Sequence, residues 1–258
     1  MKITFLGTGT SHGVPVIGCD CRVCRSADPR DRRYRTSMLA SLGATRIVVD
    51  TSPEFRLQAL RAGIRGIDAL LLTHAHADHI HGLDDVRPLT HERVLPVYGN
   101  GPCLAELRQR FDYVFREGQI GGGKPRLELV EAPAETFDLG GIAVTALPIL
   151  HGDLPILGWR LGDFAWLSDC SGIPDATLDL LAGVRTLAID GLRKKPHPTH
   201  YSVGEAIEAA RRVGAKETWI VHITHDHSQA ELEGLCRELG DDVGARPAWD
   251  GLEIEIAG

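Results

Sequence analysis

The chain has 258 residues, with 28 Lys or Arg against 35 Asp or Glu and a formal net charge of −7. At 43% hydrophobic and 24% charged it can bury a sizeable core, which excludes wholesale disorder. No apolar run approaches the roughly 18–20 residues that cross a bilayer, residues 1–7 do not read as a signal peptide, and the acidic balance argues against gripping a long nucleic acid. A cytoplasmic protein with no membrane partner is the expectation. In chain order, residues 2–6 predict a first strand. A loop rich in Gly and Cys follows, then a basic stretch from Arg22 to Arg35 opposed only by Asp28 and Asp31. Residues 46–50 predict a strand, and Ser52-Pro53 then opens a helix over 54–62. Residues 69–73 and 95–98 predict further strands. Apolar residues at 104, 107, 111, 114 and 115 predict a helix over 104–115, and 118–125 a surface loop. Strands are predicted over 142–150, 157–161, 164–168 and 186–190. A capping box at Ser202 and Glu205 starts a helix over 202–213, and a strand over 219–223, a helix over 229–239 and a strand over 252–256 complete the chain. Strands in runs with helices interspersed predict an α/β fold of mixed sheets in one domain, residues 1–258.

Two glycine motifs are decoys. In Gly7-Thr-Gly9…Gly13 the third glycine is displaced, and Pro15 and cysteines follow where a dinucleotide fold needs a helix. Gly118…Gly123-Lys124 is followed by Pro125 where a phosphate-binding loop needs Ser or Thr.

The strongest signal is Thr73-His74-Ala-His76-Ala-Asp78-His79, directly after a buried strand-like run. His74 and His76 lie two apart and project to one side of an extended chain. Asp78 and His79 follow a turn and can meet the same cavity from another direction. Four donors of this type within six residues can serve two metals, with imidazole suiting Zn, Mn or Fe and the carboxylate a hard or borderline ion. A second cluster, Cys19-Asp-Cys21-Arg-Val-Cys24, is spaced awkwardly for mutual disulfides but suits three corners of a tetrahedral structural zinc. His225 is placed to complete it, with His227 as a rival. His200 precedes a capped helix, where backbone N–H groups and the dipole favour anions.

The histidine cluster resembles the HxHxDH motif of the metallo-β-lactamase fold. That resemblance implies an αββα sandwich and adds His151, Asp169 and His222, each after a strand-like run. It implies that His74, His76 and His151 hold one metal and Asp78, His79 and His222 the other, with Asp169 bridging. Asp50 either orients a metal-bound imidazole or caps a turn. Gly7-Thr-Gly9…Gly13-Val-Pro15…Gly18-Cys19-Asp-Cys21-Arg-Val-Cys24, together with Asp250-Gly-Leu-Glu-Ile254, is similar to the cyclic phosphodiesterase subgroup typified by phosphoribosyl 1,2-cyclic phosphate phosphodiesterase. His200-Tyr-Ser202-x-x-Glu205 resembles the segment that holds the catalytic histidine there and in tRNase Z.

These readings imply a dinuclear metal-dependent phosphodiesterase with two Zn or Mn ions and one structural Zn, hydrolysing a small cyclic phosphate ester through a hydroxide held between the metals. His200 and Asp78 are its candidate catalytic residues. The alternatives are a tRNA 3′-processing nuclease, a thioesterase or a lactonase on the same metals, and a non-enzymatic metal-binding protein. Cys170 and Ser171 are expected to pack rather than react. Relatives of the fold often dimerise, which leaves a homodimer open, although no apolar stripe identifies an interface.

Overall fold

A computed structural model describes residues 1–117 and 123–256 of the chain. β-Branched and aromatic runs punctuated by Gly, Asp and Pro set its strands, and each helix is added where such a run gives way to a 3.6-residue apolar period. The order is β1 (Lys2–Gly7), β2 (Ser37–Leu42), β3 (Thr45–Val49), α1 (Phe55–Arg61), β4 (Ala69–Leu71), α2 (Ala77–Ile80), β5 (Leu95–Gly99), α3 (Gly101–Arg110), α4 (Asp112–Phe115), β6 (Leu127–Glu131) and β7 (Phe137–Leu139). It continues with β8 (Ile142–His151), β9 (Leu154–Leu161), β10 (Phe164–Leu167), α5 (Asp175–Leu180), β11 (Thr186–Asp190), α6 (Val203–Val213), β12 (Glu217–Val221), α7 (Gln229–Gly240), β13 (Ala245–Pro247) and β14 (Glu253–Glu255).

The strands form two seven-stranded sheets, ordered β14-β1-β2-β3-β4-β5-β6 and β13-β12-β11-β10-β9-β8-β7. Three apolar layers bind them. Ile3, Phe5, Met38 and Val49 of the first sheet meet Trp159, Phe164, Trp166 and Val221 of the second. Leu39, Val48 and Leu70 face α1 and α3 through Phe55 and Leu107, while Ala165, Leu187 and Ile220 face α6 and α7 through Ile207 and Leu232. This is the expected αββα sandwich of mixed sheets.

Several expectations change in detail. Strands β2, β6, β7 and β13 were not anticipated. The predicted helix over 104–115 starts earlier and is broken. Asn100 caps α3 by accepting from the Cys103 N–H at 2.9 Å, and Phe111, at φ −110° and ψ 36°, separates α3 from α4. The strand predicted over 46–50 stops at Val49 because Asp50 turns into the left-handed region, φ 59°. The loop expected over 118–125 falls, for 118–122, outside the described residues.

Strands β3 and β4 run parallel, as do β10, β11 and β12. β8 and β10 both pair antiparallel with β9, so they share a direction. The C-terminal ends of these strands can therefore gather functional side chains along one edge. Trp159 ties that edge to the core. It is fully buried between the sheets and its indole N–H donates to Leu72 O at 3.2 Å, two residues before His74. Trp159→Ala is expected to lower the unfolding free energy by about 3–5 kcal/mol, read from urea denaturation.

Candidate metal centre

Every residue of the proposed centre leaves the end of a strand or opens a helix. His74 and His76 follow β4 in extended chain, and the short helix α2, with His76 at its N-cap, turns Asp78 and His79 back toward them. His151 is the last residue of β8, while Asp169 and His222 lie just beyond β10 and β12. Asp50, Asp169 and His222 share a left-handed backbone, with φ of 59°, 57° and 58°. Non-glycine residues hold this conformation at a cost of about 1–3 kcal/mol each, which concentrates backbone strain at one place.

The donor atoms converge in two sets. His74, His76 and His151 bring one ring nitrogen each to within 4.8 Å of one another, and Asp78, His79, Asp169 and His222 do the same. Asp169 joins them. Its Oδ1 lies 3.1 Å from His79 Nε2 and 3.0 Å from His222 Nδ1, and its Oδ2 lies 3.9 Å from His74 Nε2. His79 Nε2 is also 3.3 Å from Asp78 Oδ2. Yet His74 Nε2 and His79 Nε2 are buried with no hydrogen-bond partner. They face a common centre rather than each other. Donors at about 2.1 Å from a tetrahedral ion stand about 3.4 Å apart, so these spacings fit divalent cations. His76 is exposed, which leaves one side of the first set open.

The electrostatics divide the rings. Burial and the neighbouring His79 push His74 well below the usual imidazole range, and burial takes His222 down to about 4 against the pull of Asp169. Both rings are therefore neutral at pH 7, the form that can ligate. Burial also opposes charge on His79, but Asp169, Asp78 and Asp50 hold its pKa well above the ordinary value. Asp169 in turn is buried, yet His222 and His79 keep it ionised.

Asp50 performs both roles open to it. Its Oδ2 lies 2.7 Å from His79 Nδ1 and accepts from Thr73 Oγ1 at 2.8 Å, while Oδ1 accepts from the Thr73 N–H at 2.9 Å. It thus orients the His79 ring and closes the turn ahead of His74. His151 Nδ1 donates to Thr199 O at 2.7 Å, which leaves its Nε2 for the centre. Thr36 and Thr10 stand 3.1 and 3.3 Å from the two ring nitrogens of His222.

His200 joins this edge from the other direction. It lies 4.7 Å from His151 and 4.8 Å from His222, ring centre to ring centre, stacked at 16° on His222. Its Nδ1 is held 2.7 Å from Asp190 Oδ2 at the end of β11, where burial drives the Asp190 carboxyl well above its usual range. One nitrogen each of His151 and His200 and an Asp169 oxygen share a 4.8 Å neighbourhood. Asp190 was missed from sequence. Its signal was the one that flagged Asp50, an acidic residue ending an apolar run. The neighbouring residues behave as expected: Cys170 is fully buried, and Ser171 Oγ accepts from the Gly152 N–H. His12 is exposed and belongs to neither donor set.

The second cluster assembles as Cys19, Cys21, Cys24 and His225. His225 Nδ1 lies 3.3, 3.5 and 3.3 Å from the three sulfurs. A tetrahedral zinc with bonds of about 2.3 Å to sulfur and 2.0 Å to nitrogen separates such atoms by about 3.5 Å. The Cys24 N–H takes Cys21 down to about 6, whereas burial pushes Cys24 up to about 11. His227 is not part of this group. The basic stretch is structural: Arg22 and Arg30 pair with Glu231 and Glu233 of α7. Arg33 is buried and donates to Thr8 Oγ1, Ala248 O and Gln229 Oε1.

Residues 45–223 match the family described as Beta-lactamase superfamily domain. A solved structure described as a new diphosphatase from the PhnP family is 41% identical, with a TM-score of 0.90 over 99% of this chain and 98% of that one. The chain therefore belongs to the beta-lactamase superfamily and, within it, to the PhnP family, and is a metal-dependent hydrolase. A protein of Porphyromonas gingivalis named octanoyltransferase is 45% identical over 99% of this chain, which spans about half, 52%, of that protein's length. Ribonuclease Z of a Mycobacterium sp. (strain KMS) is 29% identical over the whole of both chains.

Asp50→Ala leaves the Thr73 N–H, the Thr73 hydroxyl and His79 Nδ1 without their buried acceptor. It is expected to lower stability by about 2–4 kcal/mol, measured by denaturant unfolding with a chelator present so that metal affinity does not enter.

Proposed function

We propose that this hydrolase is a dinuclear phosphodiesterase acting on a small phosphate ester, a cyclic one foremost. The observation that carries the reading is the His200–Asp190 pair set against the two donor clusters. Hydrolysis of a thioester or lactone needs the metal donors but gives no evident work to such a pair. Cleavage of a phosphodiester must also protonate a departing alkoxide and balance charge on the phosphoryl oxygens.

His74, His76 and His151 would hold one ion, and Asp78, His79 and His222 the other, with the Asp169 carboxylate shared between them. When bound, two divalent ions, Zn or Mn, supply Lewis-acid polarisation of the phosphoryl group and an acidified water. Asp78 is the most accessible carboxylate of the set, its side chain 12% exposed at the rim. Asp50 keeps His79 in one orientation. Asp190 does the same for His200, since an anchored Nδ1 leaves proton exchange with the ester to Nε2. Cys19, Cys21, Cys24 and His225 would hold a structural zinc that pins the N-terminal loop beside His222.

A net charge of −7 supports a small substrate over a long nucleic acid, because gripping a polyanion takes a surplus of Lys and Arg along the surface. A phosphoanhydride is the second reading. It makes the same demands on the site, and the PhnP-family relative is described as a diphosphatase.

The test is turnover of bis-p-nitrophenyl phosphate and a panel of cyclic phosphates and diphosphates by purified protein with Mn²⁺ or Zn²⁺. Hydrolysis is expected, and its absence from metal-loaded protein would sink the proposal. His200→Ala should cut kcat by about 10²–10⁴-fold with the metals retained. Elemental analysis should find about three ions per chain, and Cys21→Ser should lose one of them.

A further inference from the structure

The glycines Gly7 and Gly9 and the late Asp250-Gly pair stand out in the sequence, yet they belong to neither donor set. The structure brings them together behind His222. The ladder between β1 and β2 ends at Gly7 and Ser37, and isolated bridges at Gly9 continue it. The chain beyond the ladder forms two short arms, residues 8–10 and 34–36. A Cβ on Gly7 would collide with Arg35 O, and one on Gly9 would stand 2.9 Å from Arg33 Cβ, so the close approach of the arms requires glycine.

Both arms end on His222. Thr10 Oγ1 lies 3.3 Å from its Nε2 and Thr36 Oγ1 3.1 Å from its Nδ1, and the Thr36 hydroxyl donates to Gly9 O at 2.7 Å. The first arm also grips the next residue. The Ile223 N–H donates to Thr8 O at 3.0 Å, and Ile223 O accepts from the Thr10 N–H at 3.1 Å. One carboxylate fastens the start of each arm. Asp250 Oδ1 accepts from the Thr8 N–H at 2.9 Å and the Thr8 hydroxyl at 2.8 Å, while Oδ2 accepts from the Tyr34 N–H at 2.6 Å. Its side chain is only 5% exposed, and the buried Arg33 adds a bond to Thr8 Oγ1 at 2.7 Å. Burial pushes the Asp250 carboxyl up to about 6, against the pull of the Tyr34 N–H, Thr8, Arg33 and Arg61. At pH 7 it is therefore ionised, with both oxygens free to accept.

We infer that Asp250 is a positioning residue for His222: it fixes the two arms whose hydroxyls flank the ring, and so sets where that ring meets a metal. His222 needs such support because it stands just past β12 in the left-handed region, φ 58°, where no ladder holds it. The inference rests on the reading of His222 as a metal donor, but its first readout needs neither metal nor turnover.

The histidine ring signals of metal-free protein would be recorded by proton–nitrogen NMR, with His222 assigned through His222→Gln. Asp250→Asn keeps an acceptor for Thr8 but turns an amide NH₂ toward the Tyr34 N–H. Thr8→Val keeps the backbone bonds and removes the hydroxyl, and it decides the matter should Asp250→Asn fail to fold. In each variant the His222 signals are expected to shift while those of His74 and His151 hold. Zinc titration should then show one ion of the centre bound about tenfold more weakly and the other unchanged. His222 signals at their wild-type positions in both variants, or equal weakening of both ions, would overturn the inference. Wild-type protein that takes a single ion at the centre would contradict the dinuclear reading instead, and the NMR result would still decide the role of Asp250.

Discussion

Buried ring nitrogens that have no hydrogen-bond partner are the constraint on which this molecule depends. His74 Nε2 and His79 Nε2 are withdrawn from water and left without a hydrogen bond, beside the buried carboxylate of Asp169. A protein interior tolerates such groups only when something of opposite character balances them. Divalent cations do so for imidazole and carboxylate at once. The electrostatics of the rings follow from this arrangement: burial outweighs the neighbouring Asp169 carboxylate and keeps His74 and His222 neutral, whereas the three carboxylates around His79 outweigh burial and hold its proton.

Holding seven donors in that geometry takes scaffolding of a repeated kind. Two imidazoles are each anchored through Nδ1 by an aspartate at or just past a strand end, Asp50 for His79 and Asp190 for His200, and a third, His151, by a backbone carbonyl. Three left-handed residues lie at strand ends on the same edge. The strain is affordable because the sandwich beneath is packed on three levels, with large aromatic side chains such as Trp159 and Trp166 wholly enclosed between the sheets. Stability is gathered in the layers, and geometry is spent at their rim.

How much of this could be read from the chain follows from range. Most strands and the mixed-sheet α/β class were legible because apolar runs and their punctuation are local, whereas the αββα layering came with the resemblance carried by the histidine motif. The donors His74, His76, Asp78 and His79 were legible because they crowd one turn, and Cys19, Cys21 and Cys24 for the same reason. His151, Asp169 and His222 are single residues in unremarkable surroundings, and only resemblance to a known pattern singled them out. Asp190 escaped because its partner is ten residues away, across a loop whose path no local rule gives. Strands β6, β7 and β13 escaped because they lie at or near sheet edges, with weak or short apolar patterns. The arginines from Arg22 to Arg35 looked like a surface charge patch. Arg22, Arg30 and Arg33 are fasteners to α7, which sits some two hundred residues later in the chain.

Those fasteners bear on the order in which the molecule can be built. Strand β1 lies between β2 and β14, Lys2 opposite Glu255. The Thr8 amide and hydroxyl both donate to Asp250, and the cysteine loop near residue 20 meets His225. Strand β1 and the cysteine loop therefore cannot be fastened until partners more than two hundred residues further along have been made. Contacts spanning such distances along the chain slow folding and place its last steps late. A nascent chain ending before residue 222 lacks one side chain of the candidate metal centre, and one ending before residue 250 lacks the carboxylate that secures Thr8. A chain made only through β6 of the first sheet therefore lacks both the late donor and the late fastening of the N-terminal loop, and the edge that carries the candidate site closes only once β12 to β14 are present.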